Sequence, residues 1–592
     1  MSDLAISVSA RPASWLSAVA AQTGRFRGSF ILVLAALTGV LAALVVAFVC
    51  WATQALHKIL FHLPAAERLS AQFSLVSPWL AIVPLAGGAV LAVTIALARR
   101  FRTRPPVDPI EANAVHGGRM SFRESVIVTL QTLISSSFGA SVGLEAGYTQ
   151  LSSALASHLG FRLNLRRNEI RTLVGCGAAA AIAAAFNAPF TGAFYGFELI
   201  IGVYSVNLLA PLITASLVAT FLARVLGAVQ TPILLSQFTP ITADEALPFI
   251  ALGVLSSGVA VAAMLSVARI EAVLSSLRMP PPARPILGGV IMGGFALVTP
   301  QVLSTGHGAL EIQLTSQIAL LSIALLFVLK FLAAAISLGT GFRGGLFFSS
   351  LLMGALLGKV YAGVLDLSGI AHIDGTLAAA VGMASLASGI IGGPLTMSFL
   401  VLETTGNIDI SAAVLVAAAL SSFLVRELFG YSFSTWRLHL RGESIRSAHD
   451  VGRVRNLTVQ SMMRIDVRTI SDRMSLGEFR VAYPLGSANR IVAVDRAGRY
   501  TGLLLVADAY QPHVEEQSPD GSIEPLLRYR DRFLLPGLNV ADAAKVFERA
   551  ESEELAVLDN LGNRNVIGLL TEKHLLRRYA EELDKGLKDL TG

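Results

Sequence analysis

The sequence has little charge and almost no cysteine. Only 15% of its 592 residues are Asp, Glu, Lys or Arg, whereas 54% are hydrophobic, so most of the chain needs apolar surroundings rather than water. Its two cysteines, Cys50 and Cys176, lie in apolar segments, which indicates buried thiols and no disulfide framework. We find no nucleophile–base pair, no metal-ligand spacing and no complete dinucleotide-binding motif, so the sequence does not predict an enzyme.

The charges that are present are divided unevenly. Residues 451–592 carry 20 basic and 21 acidic side chains, out of 46 and 40 in the whole sequence. The first 450 residues are therefore predicted to form a membrane domain and the rest a water-soluble one. The excess positive charge falls in the membrane part, in loops such as 99–104 and 162–171, which is typical of loops facing the cytoplasm and is not a nucleic-acid signal. We expect no cleavable signal peptide, because the first long apolar run, from near Phe30, is long enough to span.

One acid interrupts a long run without other charges. Glu145 is the only Asp, Glu, Lys or Arg among the 37 residues from Ser125 to Phe161. A carboxylate within a bilayer costs several kcal/mol to keep charged and usually marks an ion or proton path. Glycines flank it in GASVGLEAG (139–147), and they free backbone N–H groups at the start of the next helix, as in the broken helices of transporters. The alternative is a structural carboxylate satisfied by backbone groups.

The membrane part contains an internal repeat. Residues 189–198 (PFTGAFYGFE) and 394–403 (PLTMSFLVLE) share Pro, Thr, Phe and Glu at the same spacing, 205 positions apart. Residues 139–143 match 339–345 at an offset of 200. Two matches in the same order predict two related halves that arose by duplication. Charge-free segments of unequal length, several of them too short or too rich in glycine and proline to span as plain helices, predict broken helices.

At these motifs the sequence resembles the CLC family of chloride channels and proton-coupled chloride antiporters, over about residues 30–440. Four segments in the family's order carry the resemblance: GLEAG at 143–147, GCGAAAAIAAAFNAP at 175–189, GTGFRGGLFFS at 339–349 and VLETTGN at 401–407. The resemblance implies an all-α polytopic membrane domain of two inverted-repeat halves with broken helices, at about 30–230 and 247–440. It also implies a homodimer in which each subunit holds its own anion path.

The resemblance further implies an anion site and a gate. Helix N-termini would hold the anion through backbone N–H groups, because full positive charges would trap it. Glu145 would be the gate for anion and proton: its charged carboxylate occupies an anion position, and its protonated or displaced form lets the anion pass. No metal is expected. The anion-binding residues implied are Gly143, Leu144, Glu145, Gly345, Leu346, Phe347 and Ser434.

Departures from the family leave the anion and the transport mode open. The serine that members place near the first anion loop has no counterpart in residues 105–118, and Ser434 stands where members have a tyrosine. Leu199 replaces the second glutamate of a pair, which relays protons in antiporters. Glu198 and its repeat partner Glu403 are predicted to hold helix ends by hydrogen bonds. We expect a proton-linked antiporter, most simply for chloride, and the alternative is a passive, voltage- or pH-gated chloride channel.

Another intramembrane charge is Lys330. We predict that it snorkels or bonds to a nearby carbonyl group rather than to the anion. A receptor that senses nucleotides and moves no ions would lack a polar path through the membrane, and Glu145 between glycines argues against that class.

The water-soluble part has a repeat of its own. Ile491–Asp495 followed by Gly502 matches Leu555–Asp559 followed by Gly568, with the aspartates 64 residues apart. Each copy is predicted to form strand, turn, strand and helix. This α/β part resembles a tandem pair of CBS domains, at residues 457–512 and 533–583, after a linker at 441–456.

CBS pairs often bind adenine nucleotides through a Thr and an Asp in one motif. Here Asp508 remains in the first copy and Thr571 in the second, so an adenine nucleotide competes with a purely structural, dimerising role. The expected location is the inner membrane of a bacterium, with residues 1–29 and the CBS pair in the cytoplasm. The expected partners are chloride or a related anion, protons, a second copy of the chain and the lipid bilayer.

Overall fold

The computed structural model describes residues 27–64, 67–101, 105–228, 243–316, 318–440, 457–515, 520–579 and 581. The predicted linker 441–456 and nearly all of the segment 1–29 lie outside these residues. The chain divides into two units, Met1–Asp450 and Val451–Gly592. Each unit has hydrophobic cores of its own.

The first unit is helical throughout its described residues, apart from short connections. Eight of the described helices are long and apolar enough to cross a membrane, so this unit is a multi-pass membrane domain. Its helices are α1 (Arg27–Phe61), α2 (Ile82–Arg100), α3 (Pro109–Ala114), α4 (Phe122–Ser137), α5 (Glu145–Arg162), α6 (Arg167–Phe186), α7 (Pro189–Tyr195), α8 (Val206–Val225), α9 (Ala243–Ser276), α10 (Arg284–Val298), α11 (His307–Thr315), α12 (Leu320–Gly339), α13 (Phe347–Ser368), α14 (Gly375–Ile391), α15 (Pro394–Thr405), α16 (Ile408–Leu428) and α17 (Phe433–Leu440).

The order of helix lengths repeats between α1–α8 and α9–α16. Each series opens with a long helix, of 35 and 34 residues. The third helix of each series has only 6 and 9 residues, and the seventh only 7 and 12, which is too short to span a bilayer. The duplicated arrangement with broken helices predicted from the sequence is therefore present.

Two glutamates join the halves by the same contacts in opposite directions. The carboxylate of Glu198, just beyond α7, accepts hydrogen bonds from the backbone N–H groups of Leu395 and Thr396 (2.9 and 2.8 Å) at the start of α15. The carboxylate of Glu403, near the end of α15, accepts two bonds of 2.8 Å from Phe190 and Thr191 at the start of α7. The two threonine hydroxyls add a bond of 2.6 Å each. The prediction that both acids hold helix ends is confirmed.

This exchange fixes how the halves are related. Because the start of each short helix meets the end of the other, α7 and α15 run antiparallel, and a local two-fold axis lies across them. The rings of Phe194 and Phe399 stack between the helices, with centroids 4.1 Å apart. Gly143 and Gly345 form an antiparallel bridge that obeys the same symmetry. Such an axis reverses the direction of corresponding helices, so the halves are inverted repeats.

Small residues bring α13 and α14 close together. A Cβ atom at Gly358 would collide with the carbonyl oxygen of Ala378, and one at Gly382 with that of Gly354. Glycine at these positions lets the two backbones touch, as small residues do between membrane helices. The contact fixes α13, whose first residue lies at the candidate site.

The second unit is α/β, with two small sheets. In the first sheet β1 (Thr469–Ser471) pairs parallel with β2 (Arg490–Val494), and β2 pairs antiparallel with β3 (Tyr500–Leu505). In the second sheet β4 (Glu554–Leu558) and β5 (Val566–Thr571) are antiparallel. Leu534 forms a parallel bridge with Val557 of β4, so it takes the position that β1 has beside β2 in the first sheet. A further described helix covers residues 572–579. The elements are α18 (Val459–Met462), β1 (Thr469–Ser471), α19 (Leu476–Ala482), β2 (Arg490–Val494), β3 (Tyr500–Leu505), α20 (Pro512–Glu515), α21 (Val540–Ala550), β4 (Glu554–Leu558) and β5 (Val566–Thr571).

The segments that lead into the two copies pair with the other copy. Thr458, at the start of the first copy, forms a bridge with Asn539 of the second, and Ser522, ahead of the second copy, forms a bridge with Ser475 of the first. Arg464 likewise joins β5, while Arg528 joins β3. Each copy therefore completes the other, although the boundaries 457–512 and 533–583 stay predictions.

The glutamate exchange can be tested by its effect on stability. We expect Glu403→Ala to lower the free energy of unfolding by about 1–3 kcal/mol, because three donors at the start of α7 lose a charged acceptor. Glu198→Ala should do the same at α15, and Glu427→Ala, at an exposed position in α16, should have no effect. Thermal unfolding of the purified protein in detergent measures the differences. Equal stability of all three variants would contradict the role of Glu198 and Glu403 in holding the two helix starts.

Candidate anion site

The site lies where one helix of each half begins. Gly143 and Gly345 exchange two backbone hydrogen bonds, of 2.9 and 3.1 Å. Helix α5 starts two residues after the first glycine and α13 two residues after the second. Each helix N-terminus carries about half a positive charge and unpaired N–H groups. Two such ends that meet at one point are suited to an anion.

The carboxylate of Glu145 now occupies this point. Its side chain is buried, with 4% of its surface exposed, and it accepts hydrogen bonds from the backbone N–H groups of Glu145 and Phe348. Its Oε2 atom is buried without a hydrogen-bond partner. A Cβ atom at Gly143 would overlap this oxygen, whereas one at Gly345 would lie 3.7 Å from it. The carboxylate is therefore folded back over the glycine pair, and the glycine at 143 makes the room.

Glu145 lines a cavity of about 160 Å³ together with most of the predicted anion ligands. Gly345, Leu346 and Phe347 line it, and so does Ser434 at the start of α17. Gly143 lies beneath the carboxylate, and Leu144 lines a different cavity. The fold thus brings the predicted residues to one place, while their binding roles stay predictions.

Sequence reasoning missed three ionisable side chains of this cavity. They are Asp108, Tyr195 and Arg343. Asp108 also caps α3 by accepting a hydrogen bond of 2.9 Å from the N–H of Ile110. The sequence does contain a signal for Asp108: an Asp followed by Pro is typical of a helix start, and this pair lies within residues 105–118, where the family's serine has no counterpart. No local pattern identifies Tyr195, because its position depends on how α7 packs in three dimensions.

A wider cavity adjoins the first. It measures about 1010 Å³, and Pro106, Val128 and Arg343 line both. Its wall carries further basic and acidic side chains, among them Arg99, Arg284, Glu111 and Glu124. An entrance with mixed charges that narrows toward backbone N–H groups fits the passage of a small ion from one membrane face.

Lys330 and Leu199 do not line the cavity that contains Glu145. Lys330 on α12 is fully buried, and its Nζ donates hydrogen bonds of 3.1 Å to the carbonyl oxygens of Val302 and Ser304. The prediction that it bonds to a carbonyl group is confirmed. Leu199 is buried beside Glu198 at a separate small cavity, so the position of the family's second proton glutamate does not face Glu145 directly.

The two candidate nucleotide ligands are engaged within the α/β unit. The carboxylate of Asp508 forms a 2.7 Å ion pair with Arg528 and accepts a hydrogen bond from Gln511. The hydroxyl of Thr571 accepts a bond of 3.2 Å from the N–H of His574 at the start of the last described helix. Both contacts are structural, and nucleotide binding stays a prediction.

Comparison with known proteins identifies the family. The model of the voltage gated chloride channel family matches residues 87–426, which include both helix starts at the site. The chain belongs to this family. The matched segment contains Glu145 and both acids of the glutamate exchange.

Two relatives of the CLC-type chain are named as chloride channels. A ClcB-like chloride channel protein from Ralstonia nicotianae is 30% identical over 374 residues, which cover 62% of this chain and 87% of the relative. The voltage-gated ClC-type chloride channel ClcB of an Escherichia coli strain is 28% identical over 419 residues, which cover 69% and 98%.

Solved structures confirm the fold class. A slow cyanobacterial Cl⁻/H⁺ antiporter superposes with a TM-score of 0.58 at 24% identity, covering 69% of this chain and 96% of its own. A CLC-type fluoride/proton antiporter gives the same score at 21% identity and covers 69% and 98%. A eukaryotic CLC transporter, 15% identical, also scores 0.58 and covers 92% of this chain and 97% of its own. At these identities the likeness concerns the fold alone.

The glycine pair yields a test of the gate. We expect Gly143→Ala to raise anion efflux from liposomes several-fold, because the added methyl group takes the space of the Glu145 carboxylate and drives it off the helix ends. Gly345→Ala is the matched control, since its methyl group would only touch the carboxylate. Anion efflux recorded with an ion-selective electrode distinguishes them. Equal effects of the two substitutions would contradict a carboxylate that rests on Gly143.

Proposed function

We propose that this protein carries chloride across the membrane with Glu145 as its gate, in exchange for protons. The observation that carries the proposal is the buried Glu145 carboxylate at the meeting point of α5 and α13, with one oxygen unpartnered. A buried acceptor without a partner is costly unless the site serves another occupant. The names of the Ralstonia and Escherichia relatives support chloride as the anion.

The proposed gating step is a competition for the same N–H groups. The charged carboxylate and an anion cannot both occupy the two helix ends, because like charges repel strongly where water is excluded. When Glu145 takes up a proton or swings away, the anion enters from the cavity below. Helix ends bind it without a full positive charge, so it can leave again.

Asp108 supports exchange with protons rather than passive conduction. Its carboxylate lines the same cavity as Glu145, whereas Leu199, at the position of the family's inner proton acceptor, is apolar. Tyr195 lines the cavity with both acids, and a phenolic hydroxyl can both donate and accept a hydrogen bond. We infer that a proton passes between Glu145 and the entrance by way of Asp108. The passive channel remains the competing function.

The assembly follows the family resemblance. We propose a homodimer in the inner membrane, with the α/β unit as a cytoplasmic CBS pair. The 64-residue repeat and the exchanged leading segments of that unit support a tandem pair whose copies complete one another. Because Asp508 and Thr571 are engaged in structural contacts, a structural role of the pair is favoured over an adenine nucleotide site.

Glu145 is tested in liposomes that contain the purified protein and an anion gradient, with anion efflux and internal pH recorded together. We expect Glu145→Gln to abolish proton movement and to leave anion leak, because the amide cannot exchange a proton. Proton movement against its gradient in the unmodified protein would exclude the channel. Unchanged behaviour of the variant would remove Glu145 as the gate.

Asp108 is tested by a substitution that keeps its structural bond. In Asp108→Asn the side-chain oxygen still accepts the hydrogen bond from Ile110, but the group no longer titrates. We expect proton movement to fall at least tenfold while anion efflux continues. Asp374→Asn is the control, since Asp374 caps α14 in the same way and does not line the cavity. Equal proton movement in both variants would exclude Asp108 from the proton path.

A further inference from the structure

A small polar cavity lies on the other side of the gate. It measures about 20 Å³ and is lined by residues near the end of α1, by Arg68 and Ser70, and by Ser304, Thr305 and His307. Helix α1 crosses the membrane and α2 returns. Since Arg99 at the end of α2 lines the wide entrance, the small cavity opens toward the opposite membrane face. Its size leaves room for one particle comparable to water or a small halide.

Basic groups outnumber acids around this cavity. His57, Arg68 and His307 line it, and Lys330 lies near enough to His307 to act on it electrostatically. The acids that act on these basic groups are Glu311, on Arg68, and Glu145, on Lys330. Two of the basic groups have uncharged partners: the carbonyl of Ser136 accepts a 3.1 Å bond from His57 Nε2, and Thr305 lies 2.6 Å from His307 Nδ1.

Arg68 is the cation left without such partners. Its side chain is half-buried, and among the described residues none forms a hydrogen bond or a close ion pair with its guanidinium group. A guanidinium withdrawn from water is costly unless an anion or several acceptors compensate. Its fixed fork of N–H donors is well suited to bind an anion. The cavity beside it is the place where that anion would lie.

The cavity is also linked to the gate by direct contacts. Leu144, which immediately precedes Glu145, forms part of its wall. The ring of His307 stacks on Phe348, with centroids 3.4 Å apart, and the N–H of Phe348 is one of the partners of the Glu145 carboxylate. An anion here would therefore lie one layer of side chains away from the gate.

We propose that this cavity is an outer binding site for one small monovalent anion, held by Arg68, from which the anion passes to the position of the Glu145 carboxylate. The inference rests on the proposed function, since this site would bind the transported anion at the membrane face opposite the wide entrance. Arg68 would be an anion-binding side chain that belongs neither to the two helix ends nor to the wide entrance cavity.

Bromide can show the site directly, because its anomalous X-ray scattering locates it. Crystals of the full-length protein grown in bromide should show one peak beside Arg68 and another near the Gly143–Gly345 pair. Crystals of Arg68→Gln should lose the first peak and keep the second. No peak beside Arg68 in the unmodified protein, or a peak that persists in the variant, would overturn the outer site. Loss of the peak at the glycine pair alone would instead count against the proposed function.

Transport kinetics give an independent test. In liposomes, Arg68→Gln should raise the half-saturating chloride concentration about tenfold, the effect of losing one charge-assisted contact, while Arg68→Lys should retain much of the affinity. Lys58→Gln is the matched control, because Lys58 lies on the same end of α1 but does not line the cavity. If Arg68→Gln and Lys58→Gln transport alike, the outer site is excluded. The lysine variant also shows whether loss of function reflects misfolding.

Discussion

The fold of the membrane domain depends on one constraint, the direct contact between the backbones of its two halves at Gly143 and Gly345. Two hydrogen bonds join these residues. Gly143 has no room for a side chain, because the Glu145 carboxylate occupies the space where its Cβ atom would lie. The contact sets the two helix starts against each other, and so creates a region of positive potential without any cation. The cavity below it, the position of Glu145 and the polar cavity beyond it are all arranged around this point.

The positive charge of Lys330 is kept from the anion by other contacts, because its ammonium group donates hydrogen bonds to two carbonyl oxygens. A transporter must bind its ion and also release it, so weak, distributed dipoles serve better than a fixed charge at the narrowest point. Placing Arg343 and Arg68 at the two approaches, rather than at the centre, is consistent with that requirement.

Much of this arrangement could be predicted from the sequence because its signals are local. Glu145 stood out as an isolated charge between glycines, and the repeat of Pro, Thr, Phe and Glu gave both the duplication and the roles of Glu198 and Glu403. The missing parts depend on packing between distant segments. Asp108 and Tyr195 come together only because the start of α3 and the end of α7 lie at the same cavity, and the bridges between the two copies of the α/β unit join positions as far apart as Arg464 and Leu569. No local period encodes such contacts.

The exchange of glutamates also has a consequence for synthesis of the chain. The N–H groups at the start of α7 donate to Glu403, which is synthesised more than 200 residues later. At 5–20 residues per second, the ribosome needs roughly 10–40 s to make that stretch. During this interval the first half is in the membrane with the start of α7 lacking its partner, and a chain interrupted before Glu403 cannot supply it. The nascent first half therefore keeps unpaired N–H groups at the start of α7 until the second half has been made.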